Sequence, residues 1–284
     1  MASLDHIARC NAHDFGRFRR FVVADRHVGW IRHDIARRLA GFPEVFRVAD
    51  GGVTLHPGLE TADARSRAVD DVAIALAADL GTPALRGERY AVTARWGEPA
   101  VMTIDRAVVS LFGVRAFGIH VNGVVRRTDG PHLWIARRAT DRAVAPGKLD
   151  NMIAGGQPAG LCLADNLVKE AAEEAAVPEA LARRARPVGA VSYCFEDTWG
   201  LKPDVMFCYD LAVPEDFTPR NTDGEMAEFR LLPIAEVARL VRDTDDFKFN
   251  VNLVILDFLL RHGWLSPDDE PDYVDIVRGL RRGW

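Results

Sequence analysis

Apolar positions repeat every four residues at Ile31, Ile35 and Leu39, which predicts an amphipathic helix over 28–41 that ends at Phe42-Pro43. Short apolar runs at 45–48 and 53–55 flank Asp50-Gly51-Gly52 and predict a hairpin. Ser66 is the expected N-cap of a second helix, whose stripe of Val69, Val72, Ala73, Leu76 and Leu80 stops at Gly81 with Pro83 beyond. Residues 103–111 read as a strand. Past Gly113 the runs lengthen. Segments 116–121 and 124–127 flank Asn122-Gly123, the strongest hairpin signal in the chain, because both central residues of such a turn need positive φ. Another strand is expected at 133–137, and a loop with Pro146-Gly147 and Asp150-Asn151 leads into 152–156. Helices are predicted at 165–176, 250–262 and 271–282, and strands at 188–195 and 205–212. Residues 1–112 thus read as a smaller α+β domain, and 113–284 as an α/β domain with its sheet between helical layers.

Composition changes little in that picture. The chain has 284 residues, 48% hydrophobic and 27% charged, as a globular protein of about two domains would. Its formal net charge of −5 argues against a general nucleic-acid binder. The arginine groups at Arg17-Arg19-Arg20, Arg183-Arg184-Arg186 and Arg278-Arg281-Arg282 leave room for one anionic ligand site. Cys10, Cys162, Cys194 and Cys208 form no paired motif and read as idle thiols. Residues 1–14 lack a secretory pattern, and no apolar run nears the roughly 18 residues of a spanning helix. The expectation is a cytoplasmic protein with neither a nucleic-acid nor a membrane partner.

The chemistry gathers in Gly155-Gly156-Gln157-Pro158-Ala159-Gly160 and the helix that follows it. At about 100° per residue, Glu170, Glu173 and Glu174 share one arc of that helix. Like charges so spaced repel unless a cation neutralises them. Hard divalent ions such as Mg²⁺ take oxygen ligands and keep positions for substrate phosphates. A bare acidic triplet is also what a solvated helix face looks like. The glycine-rich lead-in argues for the cation, because backbone there can approach phosphates closely.

The stretch resembles the Nudix box, G-x5-E-x7-R-E-U-x-E-E-x-G-U, with Gly155 as its first glycine and Val177 as its closing apolar residue. The resemblance implies that Glu170, Glu173 and Glu174 hold metal, Mg²⁺ or Mn²⁺, in a Nudix α/β/α sandwich. Leu161 stands in place of the box's first Glu, Lys169 in place of Arg and Ala176 in place of the later Gly, and Ala171 is small for its slot. The runs 134–138, 148–160, 221–226 and 247–250, with Leu260-Arg261-His262-Gly263, are similar to the thiamine-pyrophosphokinase-related Nudix proteins. Those pair a Nudix domain with a preceding domain, which Val28-Gly29-Trp30-Ile31 fits. The similarity implies hydrolysis of thiamine diphosphate, and especially its oxo- and oxy- forms, to monophosphate and phosphate.

Within that scheme, Glu173 and Glu174 are also placed in catalysis, together with Glu225 and Glu228, either of which would serve as further ligand or general base. Arg137, Arg138 and Lys148 are candidates to hold the diphosphate. Gly155, Gly156 and Gln157 would face it with backbone, and Trp134 or Trp199 would stack on the organic ring. A core tryptophan and an exposed basic strand end explain the same residues without a ligand. His120, His132 and His262 read as structural, and Phe249-Asn250 as the start of a helix. The partner implied is a small-molecule diphosphate, with a homodimer left open. Rival readings are a Nudix pyrophosphatase acting on a nucleoside diphosphate derivative, a prenyl-diphosphate isomerase, and a Nudix module that binds without turnover.

Overall fold

The computed structural model describes residues 3–283. The chain opens with α1 (Ser3–Cys10), then β1 (Phe18–Val23), β2 (Arg26–Arg32), α2 (His33–Leu39), β3 (Phe46–Ala49) and β4 (Gly52–Leu55). These are followed by α3 (Ala62–Leu80), β5 (Arg89–Val92) and β6 (Met102–Asp105). The first sheet has the order β2-β1-β4-β3, with β1 and β4 parallel, while β5 and β6 form a separate antiparallel pair. Phe21, Phe46 and Phe112 fill its core, with Phe46 stacked on Phe112 at 6.1 Å.

The later part contains β7 (Ala116–Arg127), β8 (Gly130–Arg138), β9 (Leu149–Asn151), β10 (Ile153–Gly156), α4 (Leu163–Ala175) and α5 (Glu179–Ala182). It ends with β11 (Arg186–Glu196), β12 (Leu201–Ala212), β13 (Met226–Pro233), α6 (Ile234–Asp243), α7 (Val251–Arg261) and α8 (Tyr273–Gly279). Its seven strands run β11-β12-β7-β8-β13, with β10 on β7 and β9 on β8. Side chains alternate between the two faces, as the two-residue period of a strand requires. Met206 and Cys208 join the layer under α6 and α7, while Tyr209 and Leu211 join the layer under α4. The result is an α/β/α sandwich. Ile7 and Cys10 of α1 are buried with Val237, Val254 and Ile276, so the first helix packs into the later half, across the division expected at residue 112.

Several local expectations are corrected. Asn122-Gly123 is not a turn: β7 runs straight through it, and the chain reverses at 128–130. Asn122 is buried and bonds Asn151 and Asp210 at 2.9 and 3.0 Å. Gly123 is required by packing, since a Cβ there would lie 2.1 Å from Met152 Sδ. The predicted helix over 28–41 divides into β2 and α2, because residues 28–32 pair with β1. The cap of α3 is Thr61, whose Oγ1 accepts from Ala64 N at 3.1 Å. Ser66 lies inside the helix and accepts from Thr103 N at 2.9 Å, tying α3 to β6. The strand expected over 103–111 ends at Asp105 and turns into a 3-10 helix, Arg106–Val108.

Two consequences are measurable. Helix α4 ends on Ala176 in the left-handed conformation, φ 51° and ψ 32°, at the slot where the box has glycine. A left-handed residue other than glycine costs roughly 1–2 kcal/mol, partly offset by the greater freedom of glycine in the unfolded chain. Ala176→Gly is therefore expected to stabilise the protein by about 1 kcal/mol. A urea midpoint that stays put or falls would refute this.

His120 is buried, with Nδ1 2.9 Å from Asn151 Oδ1, and burial, helped by Lys248, pushes its pKa down to about 4. Below the unfolded value near 6.5, the unfolded chain binds a proton that the folded one refuses. Stability from this group therefore falls as pH drops from about 6.5 towards 4, by about 3 kcal/mol in all. Denaturant titrations at pH 7 and pH 5 should show a smaller loss for His120→Gln than for the parent. Equal losses would exclude His120 as a source of acid sensitivity.

Candidate active site

Strand β10 lies against α4 with two glycines at the contact. A Cβ on Gly155 would come within 2.4 Å of Glu170 Cδ, and one on Gly156 within 1.6 Å of the Tyr90 hydroxyl oxygen. Glycine is thus required here so that a carboxylate and a phenol can reach the backbone. The loop after β10 is pinned by Gln157, whose Nε2 donates to Leu161 O at 2.6 Å. Asn166 Nδ2 donates to Gly156 O at 2.8 Å.

Glu174 is 3% exposed, and its Oε2 accepts from Ala154 N at 2.7 Å. Burial raises its pKa well above the ordinary carboxylate range, and the nearby charges of Asp150, Glu170 and Glu225 push the same way. Burial raises Glu170 too, with Lys169 opposing it. Lys169 Nζ bridges Glu170 Oε1 at 3.1 Å and Glu173 Oε2 at 2.8 Å. Among the described residues, no three His, Cys, Asp or Glu side chains converge as a ready metal site. The donor set nonetheless suits a hard divalent cation. Two of the carboxylates are desolvated and repel one another, and the ammonium between Glu170 and Glu173 occupies the place of a positive charge.

The two acidic residues left open by sequence are separated in space. The loop 220–225 docks on the end of α4, with Arg220 N donating to Ala175 O at 3.1 Å and Thr222 Oγ1 to Glu173 O. That carries Glu225 into the field of Glu174, where it pairs with Arg142 at 2.5 Å. Glu228 is held instead by Arg137 at 2.8 Å and Arg230 at 2.6 Å, which keep its pKa low.

The expected diphosphate cations are engaged elsewhere. Arg138 pairs with buried Asp150 at 3.0 Å, and Lys148 Nζ donates to Asp245 O. Trp134 belongs to the core beside α4. Trp199 sits half-buried in the turn between β11 and β12, its N donating to Asp197 at 2.9 Å. Cys10, Cys194 and Cys208 are buried thiols pushed up to about 12 by burial, and Cys162 caps α4.

The structure adds residues that sequence reasoning missed. Ala159 N donates to Arg89 O at 2.7 Å, so the β5–β6 pair docks on the loop after β10. Between them lies a cleft of about 280 Å³, lined by Tyr90, Trp96, Arg115, Phe117, Gln157 and Leu161. Trp96 is 49% exposed, with its ring 4.7 Å from both Phe117 and Phe207. The only signal for it in the chain was a tryptophan outside any apolar period, set between Arg95 and Gly97. Leu161 is a wall of this cleft, which accounts for an apolar residue where the box has its first Glu.

An α/β/α sandwich carrying an acidic helix under a glycine-bearing strand edge, with a smaller domain leaning over that edge, defines a Nudix-type hydrolase fold with an N-terminal extension. The chain belongs to the Nudix hydrolase family. It is 42% identical over 284 residues to Nudix hydrolase 24, chloroplastic, of Arabidopsis thaliana, covering 99% of this chain and 78% of that one. Nudix hydrolase 20, chloroplastic, of the same plant is 41% identical over 98% of this chain and 77% of its own. An uncharacterized protein of Saccharomyces cerevisiae is 31% identical, over 85% and 75% of the two chains. Residues 2–116 match a domain of unknown function, DUF4743. Among solved structures, DR0079 from Deinococcus radiodurans is similar with a TM-score of 0.45 and 23% identity, over 59% of this chain and 97% of that one. The chloroplastic names of the plant relatives do not support the cytoplasmic expectation. No helix among the described residues is long and apolar enough to cross a membrane.

Proposed function

We propose that this chain is a Mg²⁺- or Mn²⁺-dependent diphosphatase that cleaves thiamine diphosphate, including its oxo- and oxy- forms, to monophosphate and phosphate. The observation that carries the reading is the meeting of two halves: carboxylates Glu170, Glu173 and Glu174 on α4, and an aromatic cleft beside them to which the N-terminal domain contributes Tyr90 and Trp96. A bound divalent ion supplies Lewis-acid polarisation of the phosphorus and a lowered pKa for the attacking water. Glu170, Glu173 and Glu174 would hold that ion. Glu225, whose charge acts on Glu174 and whose carboxylate Arg142 holds at 2.5 Å, would take the proton from water. The cleft shields the reacting end and selects the organic group.

Parallel steady-state kinetics with Mg²⁺ test this, with thiamine diphosphate, its oxidised forms, ADP-ribose and a nucleotide sugar as substrates. Thiamine compounds are expected to lead by at least tenfold in kcat/KM, about 1.4 kcal/mol of transition-state discrimination. A nucleotide substrate in the lead would leave the family assignment standing and end the thiamine reading. Lys169 between Glu170 and Glu173 favours one second reading, a module that binds a diphosphate without turnover. Binding with no phosphate release under any divalent ion would establish it.

A further inference from the structure

The carboxylates of α4 face a cluster that comes from the N-terminal domain. Tyr90 of β5 sets its hydroxyl against Gly156, and the neighbouring Gly155 is in contact with Glu170. Arg106, just past β6, lies over the Tyr90 ring at 6.0 Å and pairs with Glu88 at 2.9 Å. Its backbone N donates to Glu88 O at 2.9 Å, which fixes the start of this segment. The Arg106 side chain is 46% exposed, yet it stands within the electrostatic reach of Glu225, and Tyr90 within that of Glu170. A guanidinium one ring away from the Gly155-Gly156 edge and still open to solvent can meet an arriving anion. The other basic groups near the site are engaged differently, Arg115 on the cleft wall by donating to Ala94 O at 2.8 Å. Arg137 is held by Glu228 and Gly147 O, Arg138 by Asp150, Arg142 by Glu225, and Lys169 by two of the metal-binding candidates.

We infer that Arg106 is the diphosphate-binding cation of this enzyme, supplied by the N-terminal domain across the interface, with Tyr90 as the platform that positions it. The guanidinium offers a planar fork of donors matched to two phosphate oxygens. It would give up Glu88 as partner in favour of the substrate. The N-terminal domain then does more than shape the organic end: it completes the phosphate site, and the later domain alone binds diphosphates poorly. The inference rests on the diphosphatase reading above but not on the identity of the organic group.

The test is equilibrium binding to the full chain in Mg²⁺, by calorimetry, with inorganic pyrophosphate, thiamine diphosphate and unphosphorylated thiamine as probes. Arg106→Gln is expected to weaken pyrophosphate and thiamine diphosphate at least tenfold and to leave thiamine unchanged. Arg106→Lys should recover part of the loss, because the charge remains while the fork does not. Thermal melts of both variants report whether the fold is kept; if Arg106→Gln fails to fold, the comparison is made on Arg106→Lys, with a smaller but same-signed loss. Phosphate probes bound equally by parent and variant would overturn the role of Arg106 and leave the diphosphatase reading intact. A parent that binds pyrophosphate through Arg106 but not thiamine diphosphate would uphold it and remove the thiamine substrate. A parent that binds none of the phosphate probes would sink both.

Discussion

Glu174→Gln is expected to lower kcat by about 10²–10³-fold, some 3–4 kcal/mol of transition-state stabilisation, without weakening the fold. Glutamine keeps the shape of the side chain and a carbonyl oxygen that can still accept from Ala154 N, so the strand-to-helix tie survives. What disappears is a buried negative charge among Asp150, Glu170 and Glu225. In the metal-free protein that charge is a cost of burial and repulsion, and its loss should leave the melting temperature level or higher. In the metal-loaded protein, on the proposed assignment, the same charge would be a ligand. The rise in melting temperature that Mg²⁺ gives the parent should therefore shrink or vanish in the variant, since a ligand that no longer binds the folded state no longer stabilises it. Glu173→Gln should lose turnover too, although its exposed side chain leaves stability unmoved. Full activity in chelator, or a Mg²⁺-dependent melt shift retained in Glu174→Gln, would remove Glu174 from the metal site.

Spacing along one helix was the legible part of this site. Glu170, Glu173 and Glu174 lie on one arc whatever surrounds them, because 3.6 residues per turn fixes their relation. Pairs brought together by tertiary packing left no such trace. Glu225 and Glu228 are three residues apart in similar settings, and only the docking of the 220–225 loop on α4 sets Glu225 towards Glu174 and leaves Glu228 in a surface ion pair. The fold shows the same division. The strong helical stripe of α3 and the hairpin at Asp50-Gly51-Gly52 are local signals and hold in the structure. Asn122-Gly123 carries a still stronger hairpin signal and is overridden. Asn122 spends its polarity inside the core, on Asn151 and Asp210, and Gly123 makes room for Met152. Arg137, Arg138 and Lys148 show their charge in the sequence without the counter-charge that the structure sets against each, Glu228, Asp150 and Asp245. Trp96 shows only as a tryptophan outside any apolar period, and nothing local separates Arg106 from any other surface arginine.

Trp96 is where discrimination between organic groups should be lost. Its ring stands 4.7 Å from Phe117 and from Phe207, and Phe117 and Phe207 are themselves stacked at 6.1 Å. Half of Trp96 remains exposed, so an aromatic face is presented to the cleft with its other side already backed by carbon. Stacking of a heteroaromatic ring on such a face is worth about 1–3 kcal/mol. Trp96→Ala should then lower kcat/KM for a diphosphate bearing an aromatic ring by about tenfold to a hundredfold, mainly through KM. Binding of inorganic pyrophosphate, which has no ring, should not change. Trp96→Phe should retain most of the selectivity, because the face is smaller but present. Arg106→Gln makes the opposite cut, weakening every diphosphate alike and leaving the preference among organic groups as it was. The two losses act on different ends of the substrate, so in the double variant they should add in free energy to within about 0.5 kcal/mol. A Trp96→Ala enzyme that loses pyrophosphate as well would mean that the ring holds the β5–β6 pair in place. Selectivity would then reside elsewhere in the cleft.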